Sequence, residues 1–190
     1  MQALEEVPAP PSATHAVGEL IDGRYRVIRI LGEGATARTL LVEDIEAEHL
    51  RHVLRVINRP EWAAQLARNE FVTLERMPPH PNIVRVYEVH PSGKSCHLRM
   101  EWVEGPSLEE LRSEFPWPIS RAVDLARELL DALAHLECNG VYHRDISPRN
   151  VIIGKAGPKL IDFGLAREAE EADKSSVGTL FFRAPEVGAR

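Results

Sequence analysis

From Gly23 onward, apolar and polar residues alternate along the chain in short runs. "GRYRVIRILGEGATARTLLV" (23–42) predicts a strand, a glycine turn and a second strand, and "HVLRVI" (52–57) predicts a third. In that third strand the period of two puts Val53, Arg55 and Ile57 on one face. Arg55 is therefore a charge inside an apolar run, costly unless something pairs it. The spacing changes at "RPEWAAQLARNEFVTLERM" (59–77), which predicts a helix opened by Pro60. Its Ala63, Leu66, Ala67, Glu70, Leu74 and Met77 share one side, so Glu70 is a second inward charge.

Two more strands are expected in "HPNIVRVYEVH" (80–90) and "SCHLRMEWVE" (95–104). After "EGPS" the texture becomes helical. "ISRAVDLARELLDALAHLECNG" (119–140) predicts a long amphipathic helix with Val123, Ala126, Leu130, Leu133 and Leu136 inward and Gly140 as C-cap. Short strands follow in "VYH", "NVII" and "PKLIDF", then a polar, acidic loop. This order predicts an α+β protein of two lobes with a hinge near Glu101–Gly105. Residues 1–19, rich in Pro and Ala, are expected to form a disordered tail, with one lobe over 20–103 and the other over 104–190.

Composition narrows the function classes. The 190 residues are 44% hydrophobic and 27% charged, as in an ordinary globular chain with room for one domain or two small lobes. A net charge of −6 argues against general binding to nucleic acid or anionic membrane. No apolar run is long enough to span a bilayer, and no secretory signal opens the chain. Cys96 and Cys138 lack metal or redox spacing, which fits a reducing cytoplasm. Arginine outnumbers lysine 19 to 4, and no lysine precedes Lys94.

Three motifs carry chemistry. "GEGATA" (32–37) turns between two strands, and Gly32 and Gly34 would let backbone N–H groups close on a phosphate; a plain glycine hairpin accounts for it as well. "YHRDISPRN" (142–150) sets Asp145 and Asn150 five residues apart, and "IDFG" (161–164) adds Asp162. Asn150 and Asp162 are hard oxygen ligands suited to Mg²⁺, while Asp145 is suited to receive a hydroxyl proton. Any one of these aspartates alone reads as a turn residue. All three in this order do not.

With "APE" at 184–186, the set resembles the eukaryotic-type (Hanks-type) protein serine/threonine kinases widespread in bacteria, over about Asp22 to Glu186. The resemblance implies a bilobal kinase fold, with ATP and Mg²⁺ as cofactors and a protein as substrate. It implies that Asp145 orients and deprotonates the substrate hydroxyl, and that Asn150 and Asp162 hold the metal. The 32–37 loop would cover the phosphates, and Leu31 and Val53 would roof the adenine. Met100 would be the gatekeeper, with Glu101 to Val103 as the hinge. Arg55 stands where the family has a phosphate-gripping lysine, and Glu70 where it has that lysine's ion-pair partner.

Arginine keeps the charge, but its planar fork is placed differently from an ammonium, so a loss of rate is expected. Arg38, beside the glycine loop, is the nearest other cation, and a solvated strand position accounts for it. Ala37 replaces the loop's third glycine, Thr39 a valine and Ser147 a lysine, while Arg149 stands where tyrosine kinases often carry an arginine that serves the γ-phosphate. "GTLFFRAPE" (178–186) resembles the Ser/Thr form, with Thr179 expected to bond Asp145. Ser175, Ser176 or Thr179 would be the phosphosite that Arg144 pairs with. Family members continue beyond "APE" with further helices, so the long helix is expected to keep an apolar face open to a partner. A pseudokinase that binds nucleotide to regulate a partner, or a non-functional kinase fragment, are the alternatives to an active enzyme.

Overall fold

The computed structural model describes residues 15–34, 37–57, 71–92, 95–168 and 182. In the first half, β1 (Leu20–Ile21), β2 (Tyr25–Glu33), β3 (Ala37–Asp44), β4 (Leu50–Ile57), β5 (Val86–Ser92) and β6 (Ser95–Glu101) form one antiparallel sheet. Its spatial order is β1-β2-β3-β4-β6-β5. Asp22 (φ 51°) and Gly23 (φ 71°) form the tight β1–β2 turn, closed by Arg24 N–H donating to the Ile21 carbonyl at 3.0 Å. That is the turn an Asp-Gly pair favours, because its twist matches the strands it joins.

The sheet has two apolar faces. Ile21, Tyr25, Val27, Leu40, Val42, Leu54 and Val56 bury one face. Val53, Leu98 and Met100 bury the other, with Leu31 packed against them. The alternation on β4 therefore falls as its sequence predicts, and Arg55 lies in register between Thr39 and Leu98.

Of the helix expected over 59–77, the described part is helical over 71–75, with Thr73 and Met77 buried. Glu70 lies outside the described residues. The segment expected as a strand from His80 begins as one only at Val86. Before that, Val84 N–H donates to the Leu160 carbonyl at 3.0 Å, and Leu160 N–H to the Asn82 carbonyl at 2.8 Å. Those backbone groups are spent on the second half of the chain, so Ile83 and Val84 join its core instead of the sheet.

The second half is built on the long helix Ile119–Cys138. It packs on β7 (Val141–Tyr142) and on the hairpin of β8 (Val151–Gly154) and β9 (Gly157–Leu160); β7 also pairs with β10 (Arg167–Glu168). Gly140 exits the helix at φ 68°, where its sequence puts the cap. The inward face is otherwise than expected. Leu125, Leu129, Ala132, Leu133 and Leu136 meet the core, whereas Ala126 is exposed and Val123 and Leu130 are 49% and 63% exposed. The helix carries two apolar stripes, and the hairpin and β7 cover only one. Ile119, Val123 and Leu130 form the outward one. Among the described residues no helix is long and apolar enough to cross a membrane.

Candidate active site

A cleft of about 750 Å³ opens between the sheet and the second half. Leu31 and Val53 line it from β2 and β4, Met100 from β6, and Trp102 and Val103 from the segment that leaves the sheet. Ile152 lines it from β8 and Ile161 from the residue that follows β9. Gly32, Arg55, Glu101, Arg149, Asn150 and Asp162 complete the expected residues that reach it. Gly34 and Asp145 lie beyond its wall.

Ile152 and Ile161 escaped the sequence reading. A signal was present: Ile152 stands two residues from Asn150 and shares its side of the chain, while Val151 and Leu160 are buried in the core. Two isoleucines opposite two aliphatic residues make a flat apolar slot. At its edge, the backbone N–H and C=O of Val103 have no hydrogen-bond partner among the described residues. Such a slot suits a heteroaromatic ring that supplies one donor and one acceptor.

The segment after the sheet is held tightly. A Cβ on Gly105 would stand 2.1 Å from the Ile153 carbonyl oxygen, so the chain passes there only because residue 105 has no side chain. The Glu101 carboxylate accepts from Lys159 Nζ at 2.7 Å and from Arg85 N–H at 3.2 Å. Its side chain is thus committed to anchoring, and what Glu101 offers a ligand comes from its backbone.

The polar end of the cleft is built by two loops locked together. Ser147 is buried ahead of the 3₁₀ turn Pro148–Asn150, and proline suits that first helical position because it lacks the N–H that would go unpaired. Asn150 Nδ2 donates to the Asp145 carbonyl at 2.9 Å and to Asp145 Oδ2 at 3.0 Å. Its Oδ1 stays open as an acceptor among the described residues. His143 is 3% exposed and joins both loops. Its Nε2 donates to the Ile161 carbonyl at 3.0 Å, while its Nδ1 accepts the Asp145 N–H at 3.2 Å. Its ring stands edge-on to Phe163, with centroids 4.5 Å apart. Burial pushes the His143 pKa below the usual imidazole range, so the ring stays neutral.

Arg144 (φ 67°) and Asp162 (φ 63°) both adopt the left-handed backbone region, unfavourable for a side-chain-bearing residue and concentrated at functional sites. Arg55 Nη1 donates to Asp162 Oδ1 at 2.8 Å, spanning 107 residues of chain. This contact was not foreseen from the sequence; the expected pairing with Glu70 lies outside the described residues. Arg38 pairs with Glu33 across the β2–β3 ladder and does not line the cleft. Neither glycine of the loop takes a positive φ, and among the described residues a Cβ on Gly32 would meet nothing within 4 Å. Thr179, Ser175, Ser176 and the "APE" segment lie outside the described residues.

The protein kinase domain family matches residues 25–189 of the chain. The serine/threonine-protein kinase pkn2 of Myxococcus xanthus is 34% identical over 187 residues, covering 90% of this chain and 22% of that protein. The serine/threonine-protein kinase PrkC of Bacillus subtilis is 32% identical, over 90% of this chain and 28% of its own length. A putative cyclin-dependent kinase F-2 of Oryza sativa is 33% identical, over 86% and 54%. The chain spans about a quarter of the length of these two bacterial relatives.

Proposed function

The chain belongs to the protein kinase domain family, and on that premise we propose that it transfers the γ-phosphoryl group of ATP to serine or threonine hydroxyls of protein substrates. The observation that carries the reading is the pair Asn150 and Asp162 at one end of the cleft, with Asp145 bonded to Asn150 just beyond its wall. Asn150 and Asp162 face the same space, and Asp145 stands one 3.0 Å hydrogen bond behind Asn150. Asp145 orients the acceptor hydroxyl and takes its proton. The slot between Leu31, Val53, Ile152 and Ile161 binds the adenine, with Met100 at its back and the backbone of Glu101–Val103 along its edge. Gly32 and Gly34 let the β2–β3 turn approach the phosphates, which Arg55 and Arg149 meet with positive charge; Glu70 steadies Arg55.

The donor set fits Mg²⁺, since the open Asn150 Oδ1 and the Asp162 carboxylate are both hard oxygens. Bound there, the ion would neutralise phosphate charge that develops during transfer. Arg55 holds Asp162 in position for that role. The chain's two cysteines, Cys96 buried and Cys138 exposed, have no metal or redox spacing, which supports a reducing, cytoplasmic setting.

The test is transfer of label from [γ-³²P]ATP with Mg²⁺ to the chain itself and to a generic protein. Wild type, Arg55→Lys and Asp145→Ala are compared, with phosphoamino-acid analysis of the product. Labelled serine or threonine that falls to background in Asp145→Ala is expected, with Arg55→Lys at least as active as wild type. Transfer undiminished in Asp145→Ala, or none from wild type and Arg55→Lys alike, overturns the proposal.

A further inference from the structure

Far from the cleft, the two ends of the sheet meet. β1 and β5 are its opposite edges in hydrogen-bonding order. The sheet nevertheless curls so that the β1–β2 turn touches β5 and β6, and Tyr25 Oη donates to Glu88 at 2.9 Å along the same seam. At this seam Asp22 Oδ2 lies 2.9 Å from His97 Nδ1 and 3.2 Å from His90 Nε2. One ligand atom from each residue lies within 4.8 Å of the others.

We propose that Asp22, His90 and His97 form a binding site for a divalent transition-metal ion, Zn²⁺ by the character of its ligands, that clips the sheet closed. Two imidazoles and a carboxylate are a borderline-soft donor set that suits zinc and not Mg²⁺ or Ca²⁺. A tetrahedral ion with bonds of about 2.0 Å needs ligand atoms roughly 3.3 Å apart. The two distances at Asp22 are already close to that spacing.

The ligands are also held from behind. Asp22 is fixed by its turn, whose backbone at φ 51° leaves little freedom. His90 turns its other ring nitrogen toward Glu88 Oε1 at 4.0 Å, and Glu88 is itself anchored by Tyr25 Oη and by Arg99 Nε at 2.8 Å. At that distance the carboxylate places negative charge beside the ring without a hydrogen bond to it. His97 is 1% exposed, so its ring is held in place by the packing around it. His15 stands edge-on to His97 at 6.4 Å, and its buried Nδ1 makes no hydrogen bond. Three protein ligands leave a fourth position for water. The metal would join residues 75 apart in sequence and tie the first turn to the far edge of the sheet.

The test uses the full chain stripped by chelator and titrated with ZnCl₂ against a chromogenic competitor, with X-ray absorption on the 1:1 sample. One ion per chain is expected, with a nitrogen and oxygen shell, no sulfur, and a raised unfolding temperature. Asp22→Asn and His90→Gln, both at partly exposed positions, are each expected to weaken binding more than about tenfold while circular dichroism stays unchanged. His80→Gln, at the separate His80–His135 pair, is expected to bind as wild type does. Absence of stoichiometric binding, a sulfur ligand, or wild-type affinity in both Asp22→Asn and His90→Gln overturns the proposal.

Discussion

His143 ties the loop of Asp145 to the loop of Asp162, and replacing it measures what that tie is worth. His143→Phe keeps an aromatic ring beside Phe163 but removes both hydrogen bonds. The Ile161 carbonyl and the Asp145 N–H are then left in a site where the native side chain was 3% exposed. Each buried group without a partner costs about 1–3 kcal/mol, so for the two a loss of about 2–6 kcal/mol is expected. Urea unfolding at pH 8 reads it directly, as a lower midpoint at unchanged slope.

The pH dependence supplies an independent check. Protonating Nδ1 would set a ring N–H against the Asp145 N–H, and burial opposes the charge as well. The folded-state pKa therefore lies below the unfolded value of about 6.5, and the unfolded chain binds more protons between the two. This contribution is fully present above pH about 6.5 and is lost as pH falls through the folded value. His52 and His97 are also pushed down by burial and act with the same sign. His143→Phe should therefore flatten the acid limb of stability against pH without abolishing it. Equal stability of variant and wild type at pH 8, with superimposable acid limbs, would refute the reasoning.

Three other outcomes follow from packing and charge. Leu136, 1% exposed on the inner stripe of the long helix, should lose about 3–5 kcal/mol as Leu136→Ala, whereas Leu130→Ala on the outer stripe should lose under about 1 kcal/mol by the same unfolding measurement. Gly105→Ala forces a methyl against the Ile153 carbonyl at 2.1 Å; nucleotide affinity by calorimetry should fall, with about 1–3 kcal/mol of stability, because the strap beside the cleft must move. Asp44, buried and gripped by Arg24 at 2.7–3.0 Å, is held below the usual carboxylate range by that bond. Asp44→Asn should cost about 1.5–3 kcal/mol at neutral pH and remove that residue's share of the stability lost on acidification, both read by thermal unfolding.

Much of the fold was legible because its signals are local. The alternation of Val53, Leu54, Arg55 and Val56 and the Gly140 cap each fix their surroundings over a few residues, whereas β1 and the Asp22–Gly23 turn after it went unread. Reading failed where a segment had two acceptable partners. The long helix offers two apolar stripes, and only the position of the β8–β9 hairpin decides between them. Residues 80–84 are apolar enough for the sheet, but their backbone bonds go to Leu160. The same limit governed the cleft. Asn150 and Asp162 were found because their chemistry is rare at that spacing, while Ile152 and Ile161 are chemically ordinary and take meaning only from facing Leu31 and Val53.

Arg55 shows both sides of this limit. Its position in an apolar strand required a counter-charge, and that inference held at the level of physics. Which counter-charge it meets depends on reach. A guanidinium ends in a fork, so one nitrogen can take Asp162 Oδ1 at 2.8 Å and leave other donors for a further acceptor. An ammonium is a single point and serves its partners from one place. The pair is partly open to water, 25% exposed at Arg55 and 41% at Asp162, so it contributes on the order of 1 kcal/mol or less to stability. Its value is therefore positional: it fixes Asp162 across the cleft from a strand that shares no backbone pairing with it. Because Asp162 is also the proposed metal ligand, arginine sets how much of that carboxylate remains for the ion. Arg55→Lys should accordingly change the Mg²⁺ concentration needed for half-maximal transfer more than it changes protein stability.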